Sequence, residues 1–398
     1  MKLRDLDLTR LSWTTLITAL LLLAIGFAFV YSASYRPGPG GEGFYTSSPS
    51  KQLIWMAVGA CAAFCVMCIH YEVLVRYAYW LYGAALVLVL LVPVIGAEIN
   101  GAKRWIILGP LRLQPSEFLK IAMILALAKY LLYNNSYRRL SGLLVPFLLT
   151  FVPMLVIARQ PDLGTALMLL PIAFAILYAA GARASHLTTA ILVGVLMIPA
   201  VWLVMKPYQR QRIVAFFEQE SLDPEMRMGR HYQIIQAKTA IGSGQLWGKG
   251  WLKGTQNRLA FIPKTTKNND FIFAVICEEA GFVGATGLLV LFFVFLAAGL
   301  NVAEVTRDPS ARLIAVGVVA LFATQLVVNT AMTAGQLPTV GLPLPLISYG
   351  GSSLLTSFIG LGLILNVSMR RTISLASDQF NHSDMPQSDS FRFVTGSA

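Results

Sequence analysis

Three acidic positions stand in surroundings where charge is rare. Glu117 and Lys120 lie three residues apart in Gln114-Pro115-Ser116-Glu117-Phe118-Leu119-Lys120, a spacing that puts both on one helix face and lets them pair. Asp162 opens the apolar run Leu163-Gly164-Thr165, and Asp270 precedes Phe271-Ile272-Phe273-Ala274-Val275. Each has two readings. A Glu–Lys pair can simply neutralise itself, and an aspartate ahead of an apolar helix can cap it. Against that, a charge at the centre of a membrane helix costs about 2.5–3.5 kcal/mol, which makes it a functional position by default. Glu278 and Glu279, two turns beyond Asp270, fit buried partners or a cavity wall. Ser348-Tyr349-Gly350-Gly351-Ser352-Ser353 adds hydroxyls and mobile backbone.

The cations are concentrated. The stretch from Lys206 to Asp270 holds eleven basic residues, among them Arg210, Arg212, Lys249 and Lys253, against five acidic ones, a net +6. A long loop of this kind is uncommon unless functional. Within it, His231 to Ile241 has apolar residues at helical spacing and fits a helix lying along the membrane interface. A glycine series follows, at 242, 244, 248, 250 and 254. It lacks the spacing of a dinucleotide fingerprint and the Gly-Lys-Ser/Thr of a phosphate loop, so no nucleotide cofactor is expected. It fits either a turn-rich connection or a backbone that approaches a bulky ligand closely. A cationic loop beside a membrane suits an anionic, lipid-attached substrate such as a pyrophosphate, or anionic headgroups.

The elements that must position these groups follow from composition. The chain has 398 residues, 56% hydrophobic and 13% charged, with net charge +12. A soluble domain is about 25% charged, so a water-soluble enzyme, a disordered chain and a DNA-binding domain are excluded. Stretches free of charge run over 11–35, 52–71, 77–97, 140–158, 163–182, 184–205 and 280–303, each long enough to span a bilayer. The last, 313–369, is 57 residues long, and its proline- and glycine-rich middle (335–345) divides it in two. Ser116–Tyr133, apolar but carrying Glu117, Lys120 and Lys129, makes a tenth span. The sequence thus predicts an all-α polytopic membrane protein of ten helices, with 206–270 as one large extracytoplasmic loop.

Short loops on the side of the N-terminus hold eleven Lys and Arg against six on the other, which places both termini inside. The first span reads as a retained anchor. Residues 1–375 form the membrane domain, and 376–398 read as a polar, disordered cytoplasmic tail. Cys61, Cys65 and Cys68 share a helix face and read as small residues packing helix on helix, with a metal site as the lesser alternative. This topology gathers Arg104, Glu117, Lys120, Asp162, Asp270 and Ser348 at the outer face of the bilayer.

The chain resembles the SEDS family of bacterial cell-wall proteins, whose members include RodA, FtsW and SpoVE. The resemblance rests on Gly101-Ala102-Lys103-Arg104-Trp105-Ile106, Gln114-Pro115-Ser116-Glu117 with Lys120, Pro161-Asp162-Leu163-Gly164-Thr165-Ala166, Gly242-Ser243-Gly244 and Gly248-Lys249-Gly250-Trp251. It continues through Gly254-Thr255-Gln256, Asp270-Phe271-Ile272-Phe273-Ala274, Glu278-Glu279-Ala280-Gly281 and Leu342 to Ser353. Gly254-Thr255-Gln256 is more like the RodA branch than the FtsW branch.

The resemblance implies an inner-membrane peptidoglycan glycosyltransferase acting on lipid II in cell elongation, with a class B penicillin-binding transpeptidase as partner. It implies Asp270 as the catalytic residue, a divalent cation (Mg²⁺ or Mn²⁺) at the site, and no nucleic acid. Arg104, Lys120, Arg210 and Arg212 are expected around the leaving pyrophosphate. Glu117, Asp162, Lys249 and Ser348 complete the expected substrate contacts. Pro263-Lys264 and Asn269 depart from the family's usual Pro-Glu and Thr-Asp-Phe. A lipid II flippase and a non-catalytic transpeptidase scaffold are the rivals, distinguished by whether purified protein makes glycan.

Overall fold

The structure, a computed structural model, describes residues 8–35, 48–99, 102–108, 111–134, 138–160, 162–205, 210, 213–214, 216–217, 230–255 and 268–370. Among the described residues, eight helices are long and apolar enough to cross a membrane. Seven of them are α1 (Trp13–Ser34), α2 (Ser48–Cys68), α4 (Ala78–Ile95), α7 (Leu163–Ala180), α11 (Ile272–Val305), α12 (Pro309–Thr333) and α13 (Gly351–Arg370). The eighth is the span Leu140–Arg159, whose α-helical part is α6 (Leu144–Arg159). Between them lie α3 (Tyr71–Arg76), α5 (Pro115–Tyr133), α8 (Ala184–Leu196), α9 (Ile198–Val204) and α10 (Arg230–Gly244).

Local chemistry sets many of the ends. Asp162 caps α7 by accepting from the Thr165 amide, and Gly181, at φ 95°, closes it in the left-handed conformation. Asp308 caps α12 ahead of Pro309. The long apolar stretch 313–369 breaks where proline and glycine accumulate: α12 ends at Thr333 and α13 begins at Gly351. The stretch 184–205 is two short helices joined at Met197 rather than one long one.

The interior is built around α5, α12 and α13. Gly317 of α12 admits Ile124 of α5, while Gly59 and Ala63 of α2 lie against Phe358 and Gly362 of α13. Small residues at such crossings bring helices close where lipid supplies no hydrophobic drive. At the far end of α13, Asn366 and Arg370 donate to the last carbonyls of α2, at Val66, Met67 and Cys68, and to that of Ile69 just beyond it. Cys61 and Cys65 are exposed, so they face outward instead of packing helix on helix.

Three features depart from the sequence expectation. The connection after α4 is not helical: β1 (Ala97–Ile99), β2 (Ala102–Leu108) and β3 (Leu111–Leu113) form an antiparallel meander. Helix α11 starts eight residues before the expected span at Ala280 and breaks at Gly281, where φ is 67° and ψ −167°. Helix α10 forms as its periodicity predicts, but Ala237 and Ala240 pack against Phe271 and Ala274 at the start of α11.

Gly281 lies 24 residues, roughly 36 Å of helix, from the end of α11 at Val305. Asn329 lies 20 residues, roughly 30 Å, from the start of α12 at Pro309. A three-residue turn joins those two ends, and Asn329 bonds the Asp270 carbonyl. Asp270 and Gly281 therefore sit at the same end of the bundle, and the segment 272–280 runs across it.

Candidate functional site

The backbone around Asp270 is held at three consecutive carbonyls, two by neighbouring residues of the connection 335–350 and one by α12. The Asn268 carbonyl accepts from the Tyr349 amide at 2.9 Å. The Asn269 carbonyl accepts from the Ser348 hydroxyl at 2.5 Å. The Asp270 carbonyl accepts from the Asn329 side-chain amide at 2.9 Å. The Asn268 side chain donates in turn to Ser34 at the end of α1, at 3.0 Å. Asp270 is not the helix cap that its position suggested. Residues 268–271 form a turn, and Phe271 occupies the cap position of α11 with no side-chain bond.

The connection 335–350 builds the opposite wall. It has no helix and folds back into the bundle, where Ile347 presses on Gly26 of α1 and Val340 on Gly164 of α7. A Cβ on either glycine would fall 2.6 Å from that backbone. Gly341, at φ 73°, faces the acid: a Cβ there would lie 3.5 Å from Asp270 Oδ2. Ser348 is buried; besides its bond to Asn269 it accepts from the Leu344 amide at 2.8 Å. Its hydroxyl is committed to holding this turn.

Asp162 and Arg104 meet beside it. Asp162 accepts from the Thr165 amide at 3.3 Å and hydroxyl at 3.0 Å, and from the Gln114 side chain at 3.1 Å. Arg104, on β2, approaches it at 3.7 Å and donates to the Gln160 carbonyl at 3.1 Å. The cap and the ion pair are thus two uses of one carboxylate. Strand β3 is fixed to the start of α13 through Ser352, which accepts from the Gln114 amide and donates to the Arg112 carbonyl. That brings the exposed Arg112 near Tyr349: burial pushes the Tyr349 hydroxyl up, and the Arg112 charge opposes it.

Glu117 and Lys120 form the expected pair, 2.8 Å apart and fully enclosed. Glu117 Oε2 is buried with no hydrogen-bond partner among the described residues. Lys249 is paired with Glu278 at 2.7 Å and with Thr255 at 2.6 Å. Glu279 accepts from Ser32 at 2.6 Å and from the Leu252 amide at 3.3 Å. Arg210 donates to the Leu203 carbonyl at 2.8 Å and lies over Trp202, at the end of α9. Arg212, Gln256, Pro263, Lys264 and the tail 376–398 lie outside the described residues.

Gly244 and Gly248 of the glycine series have their explanation here. In an unbroken α11, the amides of Phe282 and Val283 would donate to the carbonyls of Glu278 and Glu279. At the Gly281 break, Phe282 and Val283 donate instead to Gln245 and Leu246, and Glu278 and Glu279 accept from Lys249 and Gly250. The segment 245–250 thus completes the interrupted ladder. A Cβ on Gly248 would fall 2.2 Å from the Glu279 carbonyl oxygen, and one on Gly244 2.0 Å from that of Cys277. At these two glycines the close approach is to α11.

Among the described residues no three His, Cys, Asp or Glu side chains gather as a metal cage. Glu117, Asp162 and Glu278 are each bound to a cation of the chain. The described residues thus form no protein-only cage for a divalent cation.

Asn329, Arg112 and Ser32 were not singled out from sequence. Asn329 carried a signal, a side-chain amide inside a long uncharged stretch, and Asn100-Gly101 between two apolar segments is the mark of the β1–β2 hairpin.

A polytopic membrane protein with a polar, charge-paired cluster at one end of its helices is what the fold and site define. Residues 12–373 match the family model described as "Cell cycle protein", that of FtsW, RodA and SpoVE, and the chain belongs to that family. It is 36% identical to the peptidoglycan glycosyltransferase MrdB of Escherichia coli K12, over 92% of this chain and 95% of that one. It is 37% identical to the probable peptidoglycan glycosyltransferase FtsW of Trichlorobacter lovleyi, over 89% and 92%. A solved structure described as the structural coordination of polymerization and crosslinking by a peptidoglycan synthase complex superposes with TM-score 0.76 at 35% identity, covering 89% of this chain and 97% of that one.

Proposed function

We propose that this protein is a peptidoglycan glycosyltransferase that polymerises lipid II in the bacterial inner membrane, with Asp270 as general base. The observation that carries the reading is the three-carbonyl anchorage of the turn 268–270, which sets the Asp270 carboxylate against the bare backbone of Gly341. A sugar hydroxyl is a weak nucleophile and needs a base within hydrogen-bond reach. The 4-hydroxyl of the lipid II GlcNAc gives its proton to Asp270 as its oxygen bonds to the anomeric carbon of the growing chain's terminal MurNAc. The bond from that carbon to undecaprenyl pyrophosphate breaks on the opposite face, with inversion. Negative charge collects on the departing pyrophosphate, and Arg104 and the exposed Arg112 are the cations best placed to meet it. Lys120 and Lys249 act through their carboxylate partners, in support of the site.

Ten spans follow if α5 and the α8–α9 pair cross with the eight more apolar helices, which puts both termini in the cytoplasm and Asp270 outside. The partner is a class B penicillin-binding transpeptidase, and the role is elongation. The Gly254-Thr255-Gln256 motif supports that last assignment; overall identity, equal to MrdB and FtsW within one per cent, does not separate the two. The test is to incubate purified wild type and Asp270→Ala with lipid II and the partner and to resolve products by size. A ladder from wild type and none from the variant is expected. Equal ladders from both would overturn the base assignment, and none from either would overturn the enzyme.

A further inference from the structure

Asn329 spends both of its amide hydrogens on backbone. Its Nδ2 lies 2.9 Å from the Asp270 carbonyl oxygen and 2.6 Å from that of Leu342. These carbonyls belong to the two walls that meet at the acid: the turn 268–270 carries the carboxylate, and Leu342 follows the glycine that faces it. The residue is fully buried within α12, a helix that also packs against α5, α7, α11 and α13. It therefore transmits the position of the bundle core to the turn. Its Oδ1 is buried with no hydrogen-bond partner among the described residues. A side chain kept only to fill that space would be apolar, because an unmet buried acceptor is destabilising. The amide is retained for what its two hydrogens hold.

We propose that Asn329 is a positioning residue: by tying the Asp270 carbonyl to that of Leu342, it fixes the distance between the Asp270 carboxylate and the Gly341 wall. The inference rests on the reading of Asp270 as general base. With the tie removed, the turn is still held at Asn268 and Asn269 by Tyr349 and Ser348, so the fold persists while the carboxylate shifts. A displacement of about 1 Å at a base costs on the order of 100-fold in rate.

The experiment uses the full-length protein with its transpeptidase partner and lipid II, and reads kcat, KM and the melting temperature of each variant. Asn329→Leu keeps the branching at Cγ and removes both donors; Asn329→Ser is milder and keeps one short donor. The expected result is a kcat lowered about 100-fold in Asn329→Leu and by an intermediate factor in Asn329→Ser, with KM within about twofold of wild type. A wild-type kcat in either folded variant, or a raised KM with kcat unchanged, overturns the proposal. Loss of folding in both makes the residue structural and overturns it as well. Asp270→Asn, run beside them, separates the two claims. If it is inactive while the Asn329 variants keep wild-type kcat, only the positioning role falls. If it keeps wild-type rate, the base assignment falls first.

Discussion

Two ion pairs of the same chemistry and almost the same length stabilise this protein in opposite ways. Glu117–Lys120 is 2.8 Å long, lies within one helix at a separation of three residues, and is wholly enclosed. Lys249–Glu278 is 2.7 Å long, joins segments 29 residues apart, and leaves the lysine side chain 25% exposed. The first is fixed by helix geometry before any packing occurs. The second exists only because the segment 245–250 has taken over the hydrogen bonds that Gly281 interrupts. Enclosure makes the first costly to break. Its long reach makes the second a latch, whose loss frees one segment and leaves the bundle standing.

Breaking each pair in turn tests that contrast. Lys120→Met leaves a buried carboxylate without its cation and is expected to cost about 3–5 kcal/mol, read as a large drop in melting temperature. Glu117→Gln with Lys120→Met removes the charge altogether and is expected to recover most of that loss. A wild-type melting temperature in Lys120→Met would end the distinction between the pairs.

Next in size is Gly281→Ala. A side chain at φ 67° is strained by about 1–3 kcal/mol, and its Cβ would fall 2.3 Å from the Gly248 amide nitrogen. Faster proteolysis within 245–255, with the bundle still folded, is the expected signature. An unchanged digestion pattern would mean that the break does not depend on the glycine.

Removing both charges of the second pair, Lys249→Met with Glu278→Gln, is the smallest effect. No buried carboxylate is then left without its cation, and Thr255 stays within hydrogen-bond reach of the side chain at 278. About 1 kcal/mol is expected, confined to the same segment and visible as faster amide exchange there. Global destabilisation as severe as in Lys120→Met would erase the contrast.

The same division runs through the fold. The apolar stretches foretold where most long helices lie, the proline- and glycine-rich middle of 313–369 marked its break, and Asp162 marked the start of α7. Each signal is carried by neighbouring residues, so covalent spacing alone expresses it. The β1–β2–β3 meander leaves little trace in the sequence because its longest strand, Ala102–Leu108, is short beside spans of twenty and lacks apolar–polar alternation. The break at Gly281 was hidden because one glycine in an apolar helix is ordinarily tolerated.

Within the site, the sequence by itself determined which groups are chemically eligible: Glu117 with Lys120, Asp162, Asp270 and the cations of the 206–270 stretch. It could not assign their partners. Arg104 with Asp162, Ser32 with Glu279, and Asn329 with Asp270 join residues tens to hundreds of positions apart. A chain closes loops of such lengths at nearly equal entropic cost, so spacing favours none of them. Only the packed bundle, where a buried donor or acceptor must find a partner close at hand, selected those pairings and set Asp270 in its place.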